Sequence, residues 1–204
     1  MKVFSKYFML VIAVFMLAAC STSKQNVAVK TTDLTIEPLK LSSKEKTLIS
    51  KTGLQFIQYY KLNGRLQKNE DLKLELVKYE NGKNTGELMS TSDEPKNTFH
   101  NEILSFGTQL LQEEKELNVL MGIPSGISST TQPVKNISVS SYGSVLNKKI
   151  KLIKGKPVYL AAWMGTSKNA ISGNLEYAEG KFPNVMKQSE LAVVYKITLV
   201  DRKK

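Results

Sequence analysis

The chain has 204 residues, 41% of them apolar, and a formal net charge of +11; that length suits one domain with its own core and would be cramped for two. One cysteine and one histidine exclude an intramolecular disulfide, a CxxC redox pair, a thiolate zinc cluster and a zinc site built from several imidazoles. No GxxxxGK[ST] or GxGxxG motif is present, so nucleotide chemistry has no motif to stand on and no cofactor is expected.

Lys2 and Lys6, an almost unbroken apolar run over residues 7–17, and then small residues give residues 1–19 the layout of a signal peptide. The run is too short for the roughly 18 to 20 apolar residues of a spanning helix. It closes on Leu17-Ala18-Ala19-Cys20, which resembles the lipobox of bacterial lipoproteins. That resemblance implies that the Cys20 thiol is joined to a diacylglycerol, that the bond between Ala19 and Cys20 is cut, and that Cys20 becomes the N-terminus. Lipidation would also remove a thiol that is a liability in an exported protein. Two acyl chains anchor stably where one binds marginally. The expected address is therefore the extracytoplasmic face of the cell membrane. Because Ser21 and not Asp follows the cysteine, the resemblance favours the outer membrane if the source has two.

Residues 20–50 are rich in Ser, Thr, Lys and Asn, carry Pro38 and show no sustained apolar period, so they read as a tether. A short helix from Ser42 or Ser43 to Ile49 is its one candidate element. From residue 51 to 204 the pattern predicts a single β domain. Leu54, Phe56, Tyr60 and Leu62 share one face of a strand, and Leu72, Leu74 and Leu76 alternate with charged residues along the next. Asn81-Gly82 predicts a hairpin into residues 87–91, because that dipeptide accepts positive φ at both central turn positions. Asn63-Gly64 reads as a turn or a bulge. Further strands are predicted at residues 99–111, 117–123, 137–142, 149–153, 157–164 and 191–200, with residues 125–133 as the longest polar loop. Many strands with frequent turn signals point to an antiparallel β-sandwich, Ig-like or related.

Charge is uneven: residues 148–204 carry +8, against −1 over residues 51–147. Clustered, these lysines would attract anionic lipid or wall polymer; dispersed, they would guard strand edges. With two arginines and no interleaved aromatic residues, nucleic acid is not the expected partner. Catalysis finds little support. His100 has no accompanying nucleophile motif and reads as a surface residue. The acidic clusters Glu70-Asp71, Asp93-Glu94 and Glu113-Glu114-Glu116 read as solvated loop tips; a carboxylate hydrolase would need two of them to face each other across a cleft. Tyr59-Tyr60, Tyr79, Tyr142, Tyr159, Trp163, Tyr177 and Tyr195 are candidates for a ligand platform, with Trp163 read as core. Tyr59 and Tyr60 must point to opposite faces, and the alternation through residues 157–165 sets Val158 and Leu160 opposite Tyr159 and Trp163. The expectation is a membrane-anchored binding or interaction module, its partner an anionic envelope polymer or a protein. An envelope-structural lipoprotein is the alternative, and a hydrolase a more distant one.

Overall fold

The alternation of apolar and polar residues resolves into two antiparallel sheets in a computed structural model that describes residues 33–92, 94–111, 115–173, 175 and 181–202. The chain divides into two units, Met1–Lys30 and Thr31–Lys204, and all that follows concerns the second. Its strands are β1 (Thr35–Pro38), β2 (Phe56–Arg65), β3 (Glu70–Glu80), β4 (Lys83–Thr91), β5 (Thr98–Leu111), β6 (Glu116–Ile123), β7 (Gly126–Pro133), β8 (Val139–Ser144), β9 (Ile150–Lys151), β10 (Pro157–Thr166) and β11 (Leu191–Asp201). Helix α1 (Ser43–Ile49) and a 3-10 turn (Asn184–Gln188) complete the described elements. One sheet runs β7-β6-β5-β2-β1-β9 and the other β4-β3-β11-β10-β8.

The inner faces bury Leu34, Ile36, Tyr60 and Leu62 from one side of the first sheet and Leu72, Leu74, Trp163 and Tyr195 from the second, within a single apolar cluster. Trp163 is core, 1% exposed. Two tyrosine hydroxyls bind the sheets to each other. Tyr60 of β2 donates to the Leu160 carbonyl of β10 at 2.5 Å, and Tyr195 of β11 donates to the Gly122 carbonyl of β6 at 2.8 Å. A buried phenol needs such a partner, and each pair also fixes the register of one sheet over the other.

The turn chemistry follows from the residues. Asn81 and Gly82 take φ of 49° and 73° and join β3 to β4 as expected. Gly64 is a bulge: β2 continues through it, and the pairing with β5 shifts between Leu62 and Gly64. A Cβ at Gly64 would lie 2.5 Å from the Asp33 carbonyl oxygen, so the close approach of the chain entering β1 needs glycine there.

Four sequence expectations are corrected. The folded domain begins before residue 51, because β1, placed in the tether, is an interior strand paired with both β2 and β9. Ile36 and the residue that leads into the strand, Leu34, are both completely buried and hold it there. Residues 126–133, read as loop, form edge strand β7, which pairs with β6 along its whole length; an edge strand with solvent on most sides shows no apolar alternation. Gly143, one of the glycines that the sequence offers among its turn signals, lies inside β8. In β10 the register against β11 shifts between Tyr159 and Ala161. That bulge changes the parity, so Trp163 joins Val158 and Leu160 in the inner core, while Tyr159 packs on the other face of the sheet.

Candidate binding groove

After β1 the chain leaves the sheet, makes α1, and re-enters at Phe56. Three contacts set this excursion. The Leu39 N–H extends the ladder to the Tyr59 carbonyl at 2.9 Å. Ser42 and Glu45 close a capping box, with the Ser42 N–H donating to the Glu45 carboxylate at 2.7 Å and the Glu45 N–H to Ser42 Oγ at 3.3 Å. Hydrogen bonds from Ser42 hold the Glu45 carboxyl below its usual range. At the return, the Leu110 N–H donates to Gln55 Oε1 at 2.9 Å and ties the start of β2 to the end of β5. No residue of α1 is buried, so capping rather than core burial holds the helix.

Between α1 and the start of β2 lies an open groove of about 750 Å³. Leu39, Leu41, Ile49, Leu54, Phe56 and Ile57 give it an apolar, half-exposed lining, and Lys40 and Lys46 stand at its rim. The nearby acid, Glu45, is occupied by its cap. Ser50, Gln55 and Gln58 complete the lining, so the arrangement is a mixed apolar and polar trough whose two lysines have no ion-pair partner among the described residues. It favours a ligand that is anionic at one end and apolar at the other.

The sequence-predicted site residues lie elsewhere. Ala19, Cys20, Asp93, Glu113, Glu114 and Tyr177 fall outside the described residues. His100 is exposed on β5. The tyrosines do not form one platform. Tyr60 and Tyr195 are core, and Tyr79 is 8% exposed and stacks on Phe182 at 4.1 Å. Tyr142 is exposed but rests on Phe56 at 4.6 Å, and Tyr59 is half-buried on the outward face of its sheet, opposite Tyr60 as expected.

The acidic clusters correct a further expectation: Glu70, Asp71 and Glu94 are 6%, 2% and 5% exposed, not solvated tips. Their carboxylates or backbone groups organise loops. Asp71 Oδ1 accepts from the Leu72 N–H at 2.8 Å and from the Glu94 N–H at 3.2 Å, and Glu70 Oε2 accepts from the Gln67 N–H at 2.9 Å. Burial raises the Glu94 carboxyl above its usual range. Glu116 is partly exposed on β6.

The basic residues of the last quarter are divided between the two sheets. Lys149 and Lys151 pair with Glu37 and Asp33 beside β1, Lys154 pairs with Asp201, and Lys196 pairs with Glu75 at 3.2 Å. Glu75, which sequence reasoning did not single out, also holds Lys73 at 2.8 Å, and Lys73 reaches Glu87 at 2.6 Å. The hydrogen bond from Lys73 pulls the Glu87 carboxyl down to about 2. The alternation Lys73-Leu74-Glu75 was the available signal: two opposite charges one residue apart share a strand face.

The family model of the YgaN domain matches residues 35–199, from the first strand to the last. The chain belongs to the YgaN domain family. No curated protein and no solved structure matches it. In this YgaN domain the matched region includes β1 and α1, so the groove belongs to the domain itself. No helix among the described residues is long and apolar enough to cross a membrane.

Proposed function

We propose that this YgaN-domain protein is a lipid-anchored extracytoplasmic binding module, held to the membrane through diacylglycerol on Cys20, whose α1–β2 groove takes an anionic amphiphile of the cell envelope, with acidic phospholipid as its representative. The observation that supports the reading is the groove, in which apolar side chains alternate with polar ones and Lys40 and Lys46 have no ion-pair partner among the described residues. An acidic headgroup would meet the lysines while acyl carbons cover Ile49 and Leu54. The anchor reading rests on Leu17-Ala18-Ala19-Cys20.

Calorimetric titration of residues 31–204 with short-chain phosphatidylglycerol tests the groove. Binding is expected to exceed that of phosphatidylcholine, to weaken with salt, and to fall about thirtyfold in Lys40→Ala/Lys46→Ala, at about 1 kcal/mol per lysine near an anionic surface. Equal binding of both lipids, or indifference to the double substitution, rejects it. The anchor is tested separately: Cys20→Ala should take up no labelled fatty acid, and normal labelling of that variant overturns the lipobox reading.

A further inference from the structure

The two sheets have four edges, and three of them are protected. β4 carries Lys83 and Glu87 and two register shifts against β3. β9 is two residues long and ends in Lys151. β8 is approached by β2, through Phe56 on Tyr142 and Tyr60 on Ser144. Among the described residues, the fourth edge, β7, has none of these defences. It is 8 residues, Gly-Ile-Ser-Ser-Thr-Thr-Gln-Pro, without a charge and mostly exposed, and it follows β6 from Glu116↔Pro133 to Ile123↔Gly126 without a bulge. A long, regular, uncharged edge is a template for another strand.

The free hydrogen-bonding groups can be assigned. The Val134 N–H donates to the Lys115 carbonyl at 2.8 Å, which makes Lys115 and Val134 a hydrogen-bonded pair. Alternation along an antiparallel ladder then gives the even-numbered residues of β7 to β6. The N–H and C=O groups of Ile127, Ser129 and Thr131 point away from the sheet.

We propose that β7 joins two copies of this chain, β7 against β7 in antiparallel register about Ser129, merging their six-stranded sheets across a two-fold axis. This register sets Ser129 against Ser129 and Ile127 against Thr131, and supplies about six hydrogen bonds, two for each facing pair. Moving the centre to Thr130 or Thr131 brings Pro133, which has no N–H, opposite an outward-facing residue. The Ser129 register therefore wastes no donor. It also keeps opposite faces matched, since facing residues differ by an even number.

Charge permits a second copy in antiparallel orientation in spite of the net positive chain. The lysines beside β7, Lys115 and Lys135, lie at its Pro133 end. Antiparallel pairing sends the two sets to opposite ends, about 34 to 41 Å apart at roughly 3.4 Å per residue, well beyond the screening length of about 8 Å. The paired segments themselves bring no charge together. The contact is independent of the α1–β2 groove.

The test uses the full chain in native membranes and in mild detergent. Ser129→Cys should form a covalent dimer with a short bis-maleimide, whereas the wild type, which has Cys20 alone, and Thr85→Cys on the β4 edge should not. Sedimentation should show a reversible dimer whose dissociation constant rises at least tenfold in Thr131→Pro, a change that removes an outward N–H and leaves the β6 ladder intact. Should Thr131→Pro fail to fold by circular dichroism, Ser129→Lys serves in its place. A monomer at the highest soluble concentration, equal cross-linking at Thr85→Cys, or a dimer that survives in a folded edge variant overturns the proposal. Capture of an extended peptide by a monomeric chain would do the same.

Discussion

Replacing Tyr60 by phenylalanine removes one oxygen from the middle of the sandwich and leaves the ring in place. The Tyr60 hydroxyl contacts the Leu160 carbonyl at 2.5 Å and Ser144 Oγ at 3.0 Å. Neither neighbour would be orphaned. The Leu160 carbonyl also accepts from the Val145 and Leu146 N–H groups at 2.8 and 3.0 Å, and the Ser144 hydroxyl donates to the Leu146 carbonyl at 2.6 Å. The expected loss is that of one buried hydrogen bond, about 1 kcal/mol, rather than the roughly 3 kcal/mol at the top of the range for a stranded polar group. For a domain of this size it lowers Tm by roughly 2–4 °C. Trp163, the sole tryptophan and 1% exposed, reports unfolding by fluorescence in a urea titration of residues 31–204. Alkali supplies a second arm. Burial raises the Tyr60 and Tyr195 phenols far above their usual range, so their neutral forms belong to the folded state. Their contribution is complete below the unfolded pKa near 10 and is lost as pH rises through the folded values, at up to about 1.4 kcal/mol per pH unit for each group. Tyr60→Phe should make that decline shallower. A loss of 3 kcal/mol or more at neutral pH, or an unchanged alkaline slope, would refute this reasoning.

Two further perturbations probe the outward face of the five-stranded sheet. Gly82→Ala places a Cβ 2.8 Å from the Lys187 Cα at a φ of +73°; thermal melting should show a loss of about 2 kcal/mol or more, from left-handed backbone strain together with displacement of the 3-10 turn. Glu75→Gln leaves Lys73 and Lys196 without their shared partner, and chemical denaturation should show a loss of about 2–3 kcal/mol, mostly recovered when Lys196→Met is added; no recovery in the double variant would mean that the ion pair is not the cause.

The parts of the fold that could be read in the sequence were those in which one face is buried and the other wet. Leu72, Leu74 and Leu76 announce β3 because the pleat repeats every two residues, and Asn81-Gly82 announces its turn because few residues tolerate positive φ. β7 escaped notice because Ser128, Thr130 and Gln132 face inward where an apolar residue would have marked the strand. β1 was hidden for the opposite reason: two buried side chains are too few to establish a period. The parity change at Leu160 had no local signature, since a bulge is defined by the partner strand. Burial of Asp71 beside the Glu94 backbone joins residues separated by 23 positions, a distance over which composition carries no information. The groove was obscured by its lysines, whose solubility gave Leu39, Leu41 and Ile49 the look of a linker.

The interior position of β1 has a mechanical consequence. A pull applied upstream of Thr35 enters the sandwich through a four-residue strand flanked by β2 and β9, and extracting it means breaking two ladders and exposing Leu34 and Ile36 together. Any load arriving from the N-terminal side is borne by the second strand of a sheet, fastened on both flanks, instead of by a free margin.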